Sequence, residues 1–210
     1  MIGIVDYRAG NLTSVARALE YLGEACIVTG ETAVLDRTDR IVFPGVGAAG
    51  TAMAHLREIG LDQALMAWVK EGRPVLGICL GTQVIFDYSE EDDCSCLGLV
   101  SGRVRRFPAG AREDDMSLKV PHMGWNSVAF TREHPVFSGL PEAAEFYFVH
   151  SYYPIPQEEH WVAGWTTYGV RFCAALARGN LVAVQFHPEK SGRLGLQILA
   201  NFCRWEGTDA

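Results

Sequence analysis

Residues 74 to 83, with the sequence PVLGICLGTQ, hold a cysteine between two glycines directly after a short apolar run. The run from Pro74 to Ile78 has the length and apolar character of a buried strand. In a corner of the form G-x-nucleophile-x-G, the glycines relieve crowding where a strand turns sharply into a helix, and the middle residue is pushed out above the end of the strand. We therefore predict a strand, a tight turn at Cys79 and a helix that begins near Leu80.

Three similar apolar runs precede this corner, and segments with helical spacing separate them. The runs are Ile2 to Val5, Ala25 to Val28 and Ile41 to Phe43. Helical spacing follows Asn11 and extends again from about Ala48 to Glu71. Because each parallel crossover needs a helix to return the chain, this alternation favours a parallel sheet. We predict an α/β fold: a doubly wound, mostly parallel sheet of flavodoxin-like type, with helices on both faces.

The pattern changes after about residue 96, where strand-like segments dominate until helical spacing returns at Ser191. These segments are Val100 to Phe107, Ser127 to Phe130, Phe146 to Val149, Trp161 to Thr167, Phe172 to Ala177 and Leu181 to Val184. We expect them to form an antiparallel extension of the main sheet, within one domain that spans residues 1–210. The polar stretches at 90 to 96 and 109 to 117 are expected to be exposed loops.

Length and composition exclude several classes of function. A chain of 210 residues has the size of one globular domain. Its 25 acidic and 18 basic residues give a net charge of -7, and no Lys/Arg run is long enough to follow a phosphate backbone, which argues against nucleic acid as a partner. Nowhere do about 18 uncharged apolar residues run together, so no membrane span is predicted. The N-terminus lacks a basic lead-in and the six cysteines are scattered, so we expect a reducing, cytoplasmic location without a disulfide framework.

The corner at Cys79 has the features of a nucleophile site. A helix that starts directly after the cysteine directs its positive dipole end at the sulfur and favours the thiolate. The unpaired N–H groups of the first turn, that of Leu80 foremost, point to where an oxyanion would form. The alternative is a small buried hydrophobic cysteine, which is the commonest role of a free thiol. The flanking glycines and the preceding strand favour the nucleophile.

A cysteine nucleophile needs a base, and the base needs a group that orients it. The stretch LVAVQFHPEKS at 181 to 191 supplies both groups, because side chains two apart on an extended segment face the same way. His187 and Glu189 can therefore lie side by side, and Pro188 favours extended geometry at His187. For His55, His134 and His160 we expect structural roles.

With GICLGTQ and QFHPEKS together, the chain resembles the class I (triad-type) glutamine amidotransferases over essentially its whole length. The resemblance implies that Cys79 is the nucleophile, His187 the general base and acid, and Glu189 the residue that orients it. PGVG at 44 to 47 would complete the oxyanion hole, with Gly45 and Val46 beside Leu80. The substrate, L-glutamine, would be held by Gln83, Gly47, His150, Ser151 and Tyr152. This chemistry requires neither a metal nor an organic cofactor.

Several further stretches resemble the branch of this family that serves histidine biosynthesis. They are DYRAGNL at 6 to 12, PGVG, PHMGWN at 121 to 126, YFVHSYY at 147 to 153 and the lysine after HPE. This resemblance implies a partner, a (β/α)₈-barrel cyclase that receives ammonia through a shielded passage. The residues that would face it are Asn11, Met123, Trp125, Asn126, Tyr147 and Lys190.

Each of these partner contacts has a simpler alternative. Trp125 could fill the core, Lys190 could be a solvated surface charge, and Asn11 could only cap its helix. Cys94 and Cys96 form a lone C-x-C without the further ligands that structural zinc takes, so a pair of exposed thiols is expected.

Three other functions stay open at this point. The chain could serve another synthase, of the anthranilate or GMP type. It could be a cysteine hydrolase of the related elbow-bearing α/β group. It could also be a catalytically silent subunit that only docks a partner, although an intact set of Cys, His and Glu argues against silence.

Overall fold

The computed structural model describes residues 1–8, 11–110, 112–113 and 116–208. Within these residues the chain forms fifteen strands and six α-helices. The helices are α1 (Leu12–Tyr21), α2 (Thr32–Leu35), α3 (Ala49–Glu58), α4 (Leu61–Lys70), α5 (Leu80–Val84) and α6 (Gly192–Arg204). The strands are β1 (Ile2–Val5), β2 (Cys26–Thr29), β3 (Arg40–Gly45), β4 (Val75–Cys79), β5 (Phe86–Ser89), β6 (Cys94–Ser95), β7 (Val100–Arg106), β8 (Arg112–Glu113), β9 (Met116–Ser117), β10 (His122–Phe130), β11 (Ala143–His150), β12 (Tyr152–Pro156), β13 (Val162–Tyr168), β14 (Val170–Arg178) and β15 (Leu181–Val184).

The main sheet has nine strands in the order β11-β10-β13-β14-β15-β4-β3-β1-β2. From β2 to β15 all neighbouring strands are parallel. From β15 to β11 they are antiparallel. The predicted parallel sheet with an antiparallel extension is therefore confirmed.

Helices cover both faces of the parallel part, as predicted. In β4, Leu76 and Ile78 belong to a buried cluster that includes residues of α1 and α6. Val75, on the opposite face of the same strand, belongs to a second cluster with residues of α3 and α4. Since successive side chains of a strand point to opposite faces, a continuous apolar run is what a sheet buried on both sides requires.

The helical segment predicted from about Ala48 to Glu71 is two helices. The chain breaks between α3 and α4 at Gly60, which has a φ of +73°. A left-handed residue cannot continue a right-handed helix, and glycine takes this conformation without the steric cost of a side chain. The apolar residues keep their helical spacing across Gly60, and the sequence pattern therefore predicted one continuous segment.

A second sheet of four strands, β12-β7-β5-β6, corrects the expectation that every later strand extends the main sheet. The segment predicted at Val100 to Phe107 is β7, and it pairs with β12 and β5 instead. The stretch 90 to 96 is not a simple loop, because it forms a 3-10 turn at Glu91–Asp93 followed by β6. In the stretch 109 to 117, residues 111, 114 and 115 lie outside the described part, and the short strands β8 and β9 pair antiparallel. Residues 9 and 10 of DYRAGNL also lie outside it.

One domain spanning residues 1–210 stays a prediction. A buried cluster shared by the two sheets supports it, since Phe43 of β3 and Val104 of β7 both belong to that cluster. None of the helices in the described part is long and apolar enough to cross a membrane.

Candidate active site

Cys79 ends β4 on a backbone corner that only a special sequence tolerates. Its φ of +55° and ψ of −108° are unusual for a residue with a side chain. A Cβ on Gly81 would lie 1.9 Å from the carbonyl oxygen of Phe43, and one on Gly77 would lie 3.2 Å from the Cβ of Ala183. The chain thus passes too close to its neighbours for larger residues, as the glycine pair predicted.

The sulfur of Cys79 lies at the wall of a cavity of about 340 Å³ and is not sealed in hydrocarbon. The residue is 6% exposed. Gln185 directs its side-chain N–H at Sγ over 3.8 Å, and the carbonyl oxygen of Val149 lies 3.9 Å from Sγ. Cys79 is therefore buried in the fold but faces an open space of substrate size.

His187 and Glu189 form the predicted pair, but the expected extended segment holds only at His187, because Pro188–Lys190 forms a 3-10 turn that carries Glu189. Nδ1 of His187 and Oε1 of Glu189 are 2.8 Å apart, and the two side chains are only 2% and 1% exposed. The backbone holds His187 in place, since its N–H donates to the carbonyl oxygen of Tyr147 over 2.9 Å and its own carbonyl accepts from the Ser191 hydroxyl over 2.6 Å. The carboxylate thus fixes the ring and leaves Nε2 for the cavity.

Nε2 of His187 is buried, and none of the described residues gives it a hydrogen bond of standard geometry. Burial alone lowers the pKa of this ring, but hydrogen bonding and charge from Cys79 and Glu189 outweigh it and raise the pKa to about 9. The arrangement therefore favours a protonated imidazole that faces the Cys79 sulfur, as a general acid requires.

Asn11 has a different role from the cap that was the simpler alternative. It stands at the N-cap position of α1, but its side chain makes no capping hydrogen bond. Its Nδ2 donates to Oε1 of Glu189 over 3.4 Å. The amide therefore helps to hold the carboxylate that orients His187, and the cap interpretation is wrong.

The cavity collects most of the residues proposed for chemistry and substrate. Its lining includes Val46, Gly47, Cys79, Leu80, Gln83, His150, Ser151, Tyr152 and His187. Gly45 and Glu189 are not in the lining, but each contacts a residue that is: Gly45 pairs with Cys79 in register between β3 and β4, and Glu189 is bonded to His187. Gly47 has a φ of +103°, so the loop beyond β3 uses a conformation that favours glycine. These positions agree with an oxyanion hole, while the roles themselves stay predictions.

Gln83 of the cavity lining is hydrogen-bonded to a second glutamine, Gln185, which the sequence analysis did not identify. Nε2 of Gln83 donates to the carbonyl oxygen of Tyr152 over 2.8 Å and to Oε1 of Gln185 over 3.0 Å. Both N–H bonds of the Gln83 amide are therefore used within the protein. Gln185 is fully buried and reaches Cys79. Its signal was its place two residues before His187 on an extended segment, where it shares the face of that side chain.

Glu91 is a second residue that the sequence analysis missed. It lies in the polar stretch taken for an exposed loop, yet it lines the cavity and accepts from the N–H of Ala49 over 2.8 Å. Burial raises the pKa of this carboxyl. A carboxylate at the rim of the cavity can bind an ammonium group of a ligand. Pro121 and Val149 complete the lining.

The residues predicted to face a partner divide into two groups. Met123 and Trp125 lie two residues apart on β10, on the same face of the strand, and are 62% and 56% exposed. The alternative that Trp125 fills the core is therefore wrong. The Tyr147 ring lies edge-on to Trp125 with centroids 6.2 Å apart, and Lys190 is exposed. In contrast, Asn126 uses its amide within the protein: Oδ1 accepts from Ser127 N–H, and Nδ2 donates to Thr167.

Predictions for other cysteines and histidines are correct in one case and wrong in another. Cys94 is buried and Cys96 half-buried, so the expected pair of exposed thiols is wrong, and all six cysteines are free. His134 caps a short turn by accepting from the N–H of Val136 over 3.2 Å, a structural role as expected. In the described ranges 1–8, 11–110, 112–113 and 116–208, no three His, Cys, Asp or Glu side chains lie close enough to hold a metal.

A cysteine on a strand-turn-helix elbow at the wall of a cavity, with a carboxylate-oriented histidine at the end of a parallel sheet, is the arrangement of a triad-type cysteine hydrolase. A model of the family described as glutamine amidotransferase class-I matches residues 3–205. The chain belongs to this family.

Relatives and solved structures agree with this assignment. The chain is 51% identical to the imidazole glycerol phosphate synthase subunit HisH of Nitratidesulfovibrio vulgaris (strain DP4), with 100% of both proteins covered. It is 50% identical to subunit HisH 1 of Pseudomonas aeruginosa PAO1, over 98% of this chain and 97% of that protein. A crystal structure of a glutamine amidotransferase has a TM-score of 0.73 at 18% identity over 99% of both chains. PurLQS from Thermotoga maritima also has a TM-score of 0.73, at 16% identity over 97% of both. At this low sequence identity, the two structural similarities show a shared fold and nothing more.

Proposed function

We propose that this chain is the glutaminase subunit of an imidazole glycerol phosphate synthase and acts in the cytoplasm. It hydrolyses L-glutamine to glutamate and ammonia. It passes the ammonia to a synthase partner, a (β/α)₈-barrel cyclase that makes imidazole glycerol phosphate and an aminoimidazole carboxamide ribonucleotide. The observation that carries the proposal is the set of Cys79, His187 and Glu189 at one cavity, in a chain about half identical over its full length to relatives of that name.

The first chemical step is attack by Cys79 on the side-chain carboxamide of glutamine. The thiolate forms a bond to the carboxamide carbon, and the electron pair of the C=O bond moves to oxygen. An amide is a weak electrophile, so this oxyanion needs N–H donors. The backbone N–H of Leu80 and those of the loop at Gly45 and Val46 are the candidates. The carbonyl oxygen of Val149, near Sγ, cannot serve, because it is itself an acceptor.

Breakdown of the tetrahedral intermediate requires a proton on the leaving nitrogen. His187 carries that proton, because its pKa is raised to about 9. The C–N bond breaks, ammonia leaves, and a glutamyl thioester remains on Cys79. His187, now neutral, takes a proton from water as the water attacks the thioester. Glutamate is released, and the thiolate beside a protonated ring is restored.

Glutamine also has an α-ammonium and an α-carboxylate that the cavity must recognise. We assign the ammonium to Glu91, the carboxylate at the cavity wall. His150, Ser151 and Tyr152 also line the cavity, and we assign the α-carboxylate or the carboxamide to the polar groups of their backbone. The carbonyl oxygen of Tyr152 is already bonded to Gln83, which fixes this part of the lining before the substrate enters.

Ammonia released into open water would be protonated and lost, so the synthase partner must cover the exit. We propose that the partner docks on the exposed side of β10, at Met123 and Trp125, next to the strand that ends at the cavity. Isolated chain should therefore hydrolyse glutamine slowly. The loop at 45–47, with its left-handed Gly47, is our candidate for the segment that reorients on docking.

The central test replaces Cys79 by alanine in the chain bound to its cyclase. Glutamine-dependent synthesis should be abolished, while synthesis from added ammonium salt continues, because the cyclase then needs no glutaminase. Both rates are measured by formation of the imidazole product. Loss of both reactions would mean that Cys79 is structural, and full retention of glutamine use would remove it from the mechanism.

A second experiment tests the partner and the loop. A pull-down from native extract should recover a barrel-type cyclase, whereas recovery of an anthranilate or GMP synthase component would overturn the assignment. Glutamate release is then compared between the isolated chain and the complex loaded with its nucleotide substrate. Equal rates would eliminate the loop at 45–47 as a switch.

A further inference from the structure

The imidazole rings of two buried histidines, His122 and His150, have no part in the chemistry described above. Nδ1 of His122 and Nε2 of His150 are 2.9 Å apart. His150 lines the cavity, whereas His122 lies on β10, outside the lining. His122 is 3% exposed and His150 is 6% exposed. Burial lowers the pKa of His122 to about 4, and burial together with the neighbouring His122 lowers the pKa of His150 to about 3. Both rings are therefore neutral at neutral pH.

Neutrality fixes the position of each proton. Nδ1 of His150 lies 2.8 Å from the carbonyl oxygen of Tyr152, which only accepts, so Nδ1 carries the hydrogen. Nε2 of His150 is then an acceptor, and Nδ1 of His122 must be the donor. Nε2 of His122 is left as an acceptor, and Nδ2 of Asn126 lies 3.2 Å from it. Each donor thus meets an acceptor.

The orientation of the Asn126 amide is set independently of the histidines. Its Oδ1 accepts from the N–H of Ser127 over 2.8 Å, and Nδ2 also donates to the carbonyl oxygen of Thr167 over 3.0 Å. The outer end of the chain of hydrogen bonds is therefore anchored to the backbone of β10 and β13. All three hydrogen bonds between Asn126 and the Tyr152 carbonyl must therefore donate in the same direction, toward Tyr152.

The inner end continues to the nucleophile. The carbonyl oxygen of Tyr152 also accepts from Gln83, Gln83 donates to Gln185, and Gln185 directs its N–H at Sγ of Cys79. The carbonyl oxygen of Tyr152 thus accepts two hydrogen bonds, one from His150 and one from Gln83 in the helix after the elbow. This oxygen belongs to the segment that lines the substrate cavity.

We propose that His122 is a positioning residue for glutamine binding: through its hydrogen bond to His150 it fixes the Tyr152 carbonyl and, with it, the wall of the cavity. The kinetic part of this inference rests on the proposed glutaminase function. His122 does not line the cavity, so it acts on the substrate only through His150. We call the hydrogen-bonded series Asn126, His122, His150 and the Tyr152 carbonyl the relay. Because its members are neutral, it holds the cavity wall without adding a charge beside His187.

The first test compares substitutions of His122 in the complex with the cyclase. His122→Phe keeps an aromatic ring between Phe148 and Tyr168, which stack on it at 4.8 Å and 4.0 Å, but removes both nitrogens. We expect KM for glutamine to rise about five- to tenfold, as for one lost hydrogen bond, with kcat changed less than about twofold. Synthesis from ammonium salt should be unchanged.

Two further variants separate the relay from packing. His122→Gln offers a donor and an acceptor and should restore KM to within about twofold of the native value. His160→Phe is the matched control, because His160 is an exposed histidine that also contacts an aromatic ring, Trp161, and it should leave KM unchanged. An unchanged KM in His122→Phe, or equal impairment of His122→Gln and His122→Phe, overturns the proposal.

A measurement that needs neither activity nor a stable variant decides the proton positions. The ¹⁵N chemical shifts of the imidazoles in the native chain should assign the Nδ1–H tautomer to both His122 and His150. The Nε2–H tautomer at either residue overturns the relay. If the native complex releases no glutamate from glutamine, the proposed function fails, and these shifts still decide the relay.

Discussion

His187 combines two opposing influences on its pKa, and the balance determines how the protein responds to pH. Burial favours the neutral ring, while Cys79 and Glu189 favour the charged ring and raise the pKa from 6.5 to about 9. A group whose pKa rises on folding stabilises the folded state fully below its ordinary pKa, and this contribution is lost as the pH rises through the folded value. The His187–Glu189 ion pair therefore stabilises the fold less as the pH rises toward and above about 9.

We predict an alkaline limit of activity near pH 9 that depends on Glu189. Above this pH His187 loses the proton that the leaving nitrogen needs, so kcat/KM for glutamine should fall. Glu189→Gln removes one of the groups that raise the pKa and should move this limit to lower pH. The control is Glu158→Gln, which removes a carboxylate beside the exposed His160. A limit that stays in place in Glu189→Gln contradicts the assigned role of Glu189.

Tyr7 is a buried residue whose hydroxyl has no hydrogen-bond partner among the described residues. The hydroxyl lies 2.1 Å from where a Cβ on Gly45 would be, and burial, followed by the nearby Cys79, raises its pKa. Because the hydroxyl is desolvated without a bond, Tyr7→Phe should leave the free energy of unfolding unchanged or raise it by about 1 kcal/mol. Urea unfolding measures this change.

The control for this prediction is a tyrosine whose hydroxyl is bonded. Tyr168 donates to the carbonyl oxygen of Lys119 over 2.8 Å, so Tyr168→Phe should lower the free energy of unfolding by about 1 kcal/mol. A clear loss of stability in Tyr7→Phe would show that its hydroxyl has a partner in solution.

The residues of the site differ in how well the sequence reveals them. Cys79, His187 and Glu189 were predictable, because each lies in a short motif whose local geometry implies its role. Gln185 had only its place two residues before His187 as a signal. The contact of Gln185 with Gln83 and that of His122 with His150 could not be predicted, because each joins positions far apart in the chain. Glu91 was missed because a run of acidic residues ordinarily indicates an exposed loop.

At the scale of elements, the corner between β4 and α5 depends on close approach of backbones. A Cβ on Gly81 would lie 1.9 Å from the carbonyl oxygen of Phe43. Gly81→Ala must therefore push β3 away from the elbow, and we expect a loss of about 3 kcal/mol in the free energy of unfolding. Thermal or urea unfolding of the isolated chain checks this value.

Gly72→Ala provides the matched comparison for that element. Gly72 has a φ of +84°, but nothing lies within 4 Å of the added Cβ. Only backbone strain remains, so the expected cost is about 1 to 2 kcal/mol. Equal costs for the two substitutions would mean that the elbow tolerates a side chain at position 81.

Element boundaries and strand partners were the parts of the fold that the sequence left uncertain. The parallel core followed from alternating apolar runs and helices. The helix break at Gly60 did not, since glycine within a helical pattern is compatible with either one helix or two. The second sheet was missed because a strand pattern predicts an extended segment but not its neighbour, and β7 pairs with β5 and β12.

At the scale of the whole molecule, Met123 and Trp125 form an exposed apolar pair on β10 that packing within this chain does not explain. Met123 and Trp125 are large apolar side chains left in contact with water, and the neighbouring strand β11 includes Val149 of the cavity lining. Tryptophan at such a place is the type of residue that dominates binding energy in protein interfaces. A partner seated there would lie close to the exit that ammonia needs.

We therefore predict that Trp125→Ala weakens binding of the proposed cyclase partner about 30-fold, measured by isothermal titration, as for loss of about 2 kcal/mol. Stability of the isolated chain should change by no more than about 0.5 kcal/mol, because the side chain is 56% exposed. Tyr21→Ala is the control: Tyr21 is 79% exposed at the end of α1 and should leave affinity unchanged. Equal affinity in Trp125→Ala and the native chain would exclude this face of β10 as the docking surface, and the ammonia would then have to leave by another side of the cavity.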